Sequence, residues 1–168
     1  MVHVPVGTGQ EVVKMRKKQE IDERAWSAAD PGVVYGLLAK GATWPVWSPI
    51  GSFELQQEGE GEPEGLNAVR VFRTGRSTSI ERLVELRPGR RLSYTLLEGL
   101  PLQGYRADVD LEPSDGGTSI RWHSTFEAKR RGTGWFYRRV LANFIRRCVT
   151  GLAAHAATMQ QTPASRTD

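Results

Sequence analysis

The side chains in this chain that could do chemistry are few, and their neighbours matter more than their number. Arg82 has the same strand parity as Ile80, Val84 and Leu86, and alternate residues of a strand share a face. Turned inward, its guanidinium could hold a carboxylate or an enolate. A single bulge exchanges the two faces, and the alternative register brings Leu83 inward with Glu81 and Glu85 beside it. Both registers remain open. Tyr94 alternates with Leu92 and Leu96, and Tyr105 with Ala107, Val109 and Leu111. Each phenol points either into a pocket or to a hydrogen bond within the core. His155 falls on the apolar stripe of a helix, where a hydrogen-bonded structural histidine is favoured over an acid or base.

Other chemistries lack their residues. His3, His123 and His155 have no ligand-like spacing, and the one cysteine, Cys148, can build neither a thiolate metal site nor an intrachain disulfide. No Gly-x-Ser-x-Gly marks a hydrolase nucleophile, and no glycine fingerprint follows a strand to hold a flavin or nicotinamide. The glycines of Glu58-Gly-Glu-Gly-Glu-Pro-Glu-Gly65 stand among carboxylates that would repel phosphate. No metal and no cofactor is expected, and no catalytic residue is assigned.

These residues need elements to position them. Over residues 132–160, Tyr137, Leu141, Phe144, Ile145, Cys148, Leu152, His155, Ala156 and Met159 fall on one side of a helical wheel, with arginines opposite. The result is one long amphipathic helix, roughly 40 Å at 1.5 Å per residue. Its stripe needs a broad apolar partner. Residues 105–111 alternate strictly, and Thr118, Ile120, Trp122, Ser124 and Phe126 continue the apolar face beyond Asp115-Gly116-Gly117. Residues 51–57, 68–74, 78–87 and 91–97 supply further strands, with turns at Gly75-Arg76 and Pro88-Gly89. Residues 17–28 form an outer strand. Asp30-Pro31 then starts a short helix, with Asp30 capping its free amides and Gly41 as its left-handed stop. Trp44-Pro45-Val46-Trp47 places two indoles on one side of a second helical segment. They either plug one end of the core or line a pocket mouth, and different rings can do each. Residues 99–102, Gly-Leu-Pro-Leu, form an apolar loop.

With 39% hydrophobic and 25% charged residues, the chain suits one domain over residues 16–160, between a flexible leader (1–15) and a flexible tail (161–168). No signal-like or membrane-length apolar run is present, and a cytoplasmic location is expected. The net charge of +4 is unevenly spread: residues 128–167 hold eight basic side chains and no acidic one. A solvated helix back is favoured over a site for nucleic acid or anionic lipid.

That order of elements, with Trp44-Pro45-Val46-Trp47-Ser48-Pro49, the run Glu81-Arg82-Leu83-Val84-Glu85-Leu86-Arg87-Pro88 through Arg91-Leu92-Ser93-Tyr94, and Tyr105-Arg106-Ala107 through Gly117-Thr118-Ser119-Ile120-Arg121-Trp122, resembles the polyketide cyclase/dehydrase branch of the START-like (SRPBCC) superfamily over roughly residues 18 to 160. The resemblance implies an α+β helix-grip (START/birch-allergen-like) fold: a curved seven-stranded antiparallel sheet wrapped around the C-terminal helix, two short helices after the first strand, and an apolar cavity between sheet and helix. Members range from lipid carriers to cyclases and share no catalytic motif to carry over. Cavity-lining candidates are Trp44, Trp47, Arg82, Tyr94, Leu96, Tyr105, Val109, Trp122 and Phe126 from the sheet side. From the helix come Leu141, Phe144, Ile145, Cys148, Leu152 and His155. The expected partner is a hydrophobic or amphipathic small molecule, carried or sensed, with a cyclase or dehydratase as the alternative. Nucleic acid is disfavoured because no aromatics interleave with the arginines, and any membrane contact would be peripheral.

Overall fold

The alternation at residues 105–111 and 118–126 lies within the longest hairpin of the molecule, β6 (Leu102–Ser114) and β7 (Gly117–Ala128). Asp115 and Gly116 turn it with φ of 50° and 74°, the left-handed pair that matches strand twist. The computed structural model describes residues 17–161; the leader assigned to residues 1–15 and the tail from residue 162 lie outside the described residues. The remaining strands are β1 (Gln19–Ser27), β2 (Ser52–Gln57), β3 (Val69–Thr74), β4 (Ser77–Arg87) and β5 (Arg91–Glu98). All seven form one antiparallel sheet in the order β1-β7-β6-β5-β4-β3-β2. Two short helices, α1 (Pro31–Ala39) and α2 (Trp44–Trp47), follow β1, and α3 (Gly134–Gln161) lies against the concave face.

Two local expectations at α1 change. Asp30 occupies the N-cap, but its side chain makes no capping bond; its backbone carbonyl accepts the Val33 and Val34 amides instead. Gly41 is not in the left-handed region, since the chain leaves α1 through Lys40 in extended conformation. Glycine is needed there for space, because a Cβ would run into the Phe53 ring. The Gly41 amide donates to the Glu64 carboxylate.

The concave sheet packs solidly against the second half of α3. Trp44 stacks on Phe72 with centroids 4.8 Å apart and meets Trp122 edge-on at 5.5 Å. Trp47, Cys148, Leu152 and Ala156 are buried in the same cluster. The backbone of α2 comes so close to Gly151 that a Cβ there would strike the Trp47 carbonyl oxygen. Ser27 donates to the Ala153 carbonyl at 2.7 Å and ties β1 to the helix.

Candidate functional site

Toward its N-terminal half, α3 stands off the sheet. A cavity of about 460 Å³ lies between Leu141, Phe144 and Ile145 on the helix and Glu81, Tyr94, Leu96 and Tyr105 on the strands. Its mouth lies between the β3–β4 hairpin, where Arg76 and Ser77 line it, and the loop carrying Gly99 and Leu100. The sheet explains the gap. Strands β5 and β6 pair from Arg91↔Asp110 only as far as Thr95↔Arg106, and β6 then breaks register between Gln103 and Arg106, with Gly104 at φ 61°. Leu96 and Glu98 stay paired to β4, so the two strands part at the mouth.

The inner end of the cavity is polar. Register breaks at Ile80/Glu81 and Leu83/Glu85 punctuate β4. Glu81 and Leu83 face inward in alternation with Ser79, and the second break sends Glu85 to the convex face, where it pairs with Arg106 at 2.9 Å. Glu81 is 8% exposed, and its cross-strand partner Arg70 is fully buried. The Arg70 Nη2 lies 3.8 Å from Glu81 Oε2, and its Nη1 lies 3.7 Å from Glu64 and donates to the Leu38 carbonyl. The guanidinium rests on the rings of Trp44 and Phe72 at 4.9 and 5.1 Å. Glu81 Oε2, Arg70 Nε and Arg70 Nη2 make no hydrogen bond, so this buried pair is incompletely satisfied.

Burial pushes the Glu81 carboxyl up to about 7, against the pull of Arg70. Burial likewise pushes the Tyr94 phenol well above its usual range and raises that of Tyr105. Both phenols are therefore neutral near pH 7, with their rings 6.2 Å apart. Tyr94 Oη accepts the Trp122 indole N–H at 3.2 Å. The cavity thus offers two neutral phenols and a carboxyl that changes protonation near neutrality, set below an apolar wall. Such a set can hold a carbonyl or hydroxyl and exchange a proton with it.

The sequence-derived candidates divide between cavity and core. Tyr94, Leu96, Tyr105, Leu141, Phe144 and Ile145 line the cavity. Trp44, Trp47, Val109, Trp122, Phe126, Cys148 and Leu152 do not; they fill the solid part of the core, where large rings leave no space. Burial pushes the Cys148 thiol up, which leaves it a small inert hydrophobe. Arg82 is on the opposite face of β4 from Glu81 and Leu83, because the bulged register prevails over the simple alternation that would turn it inward. His155 is half-buried on α3, away from the cavity. Sequence reasoning kept Glu81 only as an alternative and missed Arg70, Ser79 and Val140. The Gly-Leu-Pro-Leu loop was the legible sign of the mouth. Among the described residues, no three His, Cys, Asp or Glu side chains stand together as a metal site.

A seven-stranded sheet gripping a C-terminal helix and enclosing a side-opening cavity defines a helix-grip protein of the START/SRPBCC superfamily. Residues 18–157 match the model of the family described as polyketide cyclase/dehydrase and lipid transport, and the chain belongs to that family. Comparison with curated proteins gives no sequence match. Among solved structures, the Zhui aromatase/cyclase from Streptomyces sp. R1128 superposes with a TM-score of 0.71 at 17% identity, over 87% of this chain and 98% of that one. A START superfamily protein from Mycobacterium smegmatis gives 0.71 at 12% identity, over 83% and 98%. A protein from Thermobifida fusca gives 0.69 at 22% identity, over 86% and 97%. At these identities the likeness shows the fold alone.

Proposed function

We propose that the protein binds an amphipathic small molecule, such as a lipid or polyketide, for carriage or sensing. Its apolar part would lie along Leu96, Leu100, Phe144 and Ile145, and its polar end against Glu81, Tyr94 and Tyr105. One observation carries this: a cavity of about 460 Å³ between sheet and helix, lined mostly by apolar side chains, with Glu81, Tyr94 and Tyr105 in its wall. The size falls within the roughly 300–1,000 Å³ of ordinary ligand pockets, and a few polar groups in an apolar wall are what orient a ligand in such pockets. Native mass spectrometry of protein from its own host should show a co-purifying adduct. Leu96→Trp, which obstructs the cavity, should abolish uptake of an apolar fluorescent probe while circular dichroism stays unchanged. Uptake that survives the obstruction would exclude this cavity as the site.

A second reading, a cyclase or dehydratase, has its own support. A carboxyl titrating near 7 suits a general acid or base at neutral pH, and the neutral phenols of Tyr94 and Tyr105 could donate to a developing enolate. Zhui is an aromatase/cyclase of the same fold. If this holds, Glu81→Gln abolishes turnover of a linear polyketone but leaves its binding. Equal turnover by the variant and the parent protein would remove Glu81 from any such role.

A further inference from the structure

The end of the molecule that carries the cavity mouth also gathers cations and exposed aromatics, and we propose that it docks on an anionic phospholipid bilayer with the mouth facing the lipid. The topology brings these features together. Because every neighbouring pair is antiparallel, β3, β5 and β7 all finish at the same edge of the sheet. The hairpin with Arg76, the loop with Leu100 and the segment 129–133 leading into α3 therefore lie side by side.

On the first turns of α3, Trp135, Phe136 and Val140 are 67%, 50% and 46% exposed. Phe136, Val140 and Phe144 are spaced four apart on one helix, so they form a strip. The strip runs from the outer surface into the cavity, which Val140 and Phe144 line. Near it are Lys129, Arg130 and Arg131 in the segment before the helix and Arg139 on its flank, with Arg138 on the far side of the same turn, all exposed. Among the described residues none of the five has an ion-pair partner, whereas Arg146, two turns further along, is held by Glu23 at 3.0 Å. The carboxylates toward this edge include Glu20, Glu98, Glu127 and Glu54, the last held by Arg73 at 3.0 Å, while the acidic loop at residues 58–64 lies at the opposite edge.

An anionic bilayer matches both halves of this surface. Headgroups meet the free cations, and the interface accepts Trp and Phe at the depth where their rings leave water. The apolar strip would then join the lipid phase to the cavity. An acidic protein would match only the charges. Duplex nucleic acid would do the same, because its outer face offers phosphates and its bases are already stacked on one another. No helix among the described residues is long and apolar enough to cross a membrane, and the docking proposed is interfacial.

Co-sedimentation with vesicles tests this, using phosphatidylcholine alone or with one third phosphatidylglycerol, at low and high salt. Binding is expected only to the anionic vesicles, weakening as salt rises. Trp135→Ala with Phe136→Ala should lower vesicle affinity about tenfold or more, and Arg130→Glu with Arg131→Glu roughly thirtyfold. All four residues are exposed, so the fold should be retained, and circular dichroism checks it. Arg147→Glu, exposed further along the helix, should change little. No binding to anionic vesicles at low salt, or binding indifferent to the aromatic pair, overturns the proposal. So does tighter, equally Arg130/Arg131-dependent binding to duplex DNA or to an acidic protein. Docking and cavity binding separate cleanly: Leu96→Trp should leave vesicle binding intact while probe uptake is lost.

Discussion

Replacing Glu81 by glutamine isolates the cost of keeping a carboxyl in this cavity. A glutamate titrates near 4.5 when free of the fold and near 7 in it. Between those values the native state holds a proton that the unfolded chain has released, so unfolding free energy falls as pH rises. The contribution of the neutral carboxyl is fully present below about pH 4.5 and is lost as pH climbs through about 7. At about 1.4 kcal/mol per pH unit, the interval corresponds to roughly 3 kcal/mol. Glutamine keeps the shape and cannot ionise. The difference in stability, variant minus parent, should be near zero at pH 4 and reach roughly 3 kcal/mol in favour of the variant at pH 8. Urea unfolding followed by tryptophan fluorescence measures it. Asp22, Asp108 and Asp110 are held below the usual carboxylate range by their arginine partners against the opposing pull of burial. They add an opposite slope, but equally in both proteins, so the difference removes them. A difference that stayed flat across this range would refute the reasoning. One that favoured the parent at pH 8 would mean that Arg70 holds Glu81 ionised.

Other substitutions test neighbouring parts of the structure. Gly151→Ala, which in an open helix would stabilise by about 1 kcal/mol, should instead destabilise by about 3 kcal/mol or more, because the clash is with the Trp47 backbone; chemical denaturation gives the sign directly. Tyr94→Phe leaves the buried Trp122 N–H without its acceptor and should cost about 1–3 kcal/mol, read as a lower midpoint in thermal unfolding. Arg70→Ala should cost about 3 kcal/mol or more by stranding two carboxylates. Arg82→Ala, on the far face of β4, should cost under about 1 kcal/mol in the same urea titration.

Regular alternation made the sheet legible, and its interruption made the site illegible. In β6 and β7 each apolar position read from the sequence is buried, since the pairing from Arg106↔Thr125 to Ser114↔Gly117 runs without a break. In β4 two register breaks fall within a few residues. The one at Leu83/Glu85 reverses which side chains of β4 face the helix, and the residues Ile80 to Leu86 carry apolar groups at both parities. Their types do not choose between Arg82 and Glu81. The buried Arg70 was hidden differently: Val69, Val71 and Phe72 around it read as a strand apolar on both faces, and its burial depends on Glu64 and Glu81, which the fold brings from elsewhere. The stripe of α3 has one period throughout, so periodicity could not show that Leu152 meets solid core while Leu141 meets a void.

The contrast between the two halves of α3 bears on function. Beside Leu152 and Cys148 the fold fills its interior with Trp44, Phe72 and Trp122 at full burial, so this scaffold is able to build a solid core. Beside Leu141 and Phe144 it leaves about 460 Å³ open and sets there a carboxyl whose ionisation lowers stability by roughly 3 kcal/mol above neutral pH. Behind it stands a guanidinium two of whose nitrogens make no hydrogen bond. An apolar residue at position 81 with a matching change at position 70 would remove both costs. Local departures from the packing rules of the rest of a molecule concentrate where selection acts on something other than stability. Here they coincide in the wall of one cavity, which makes Glu81, more than any tryptophan or histidine of the chain, the residue whose substitution should separate the cost of a buried carboxyl from its use.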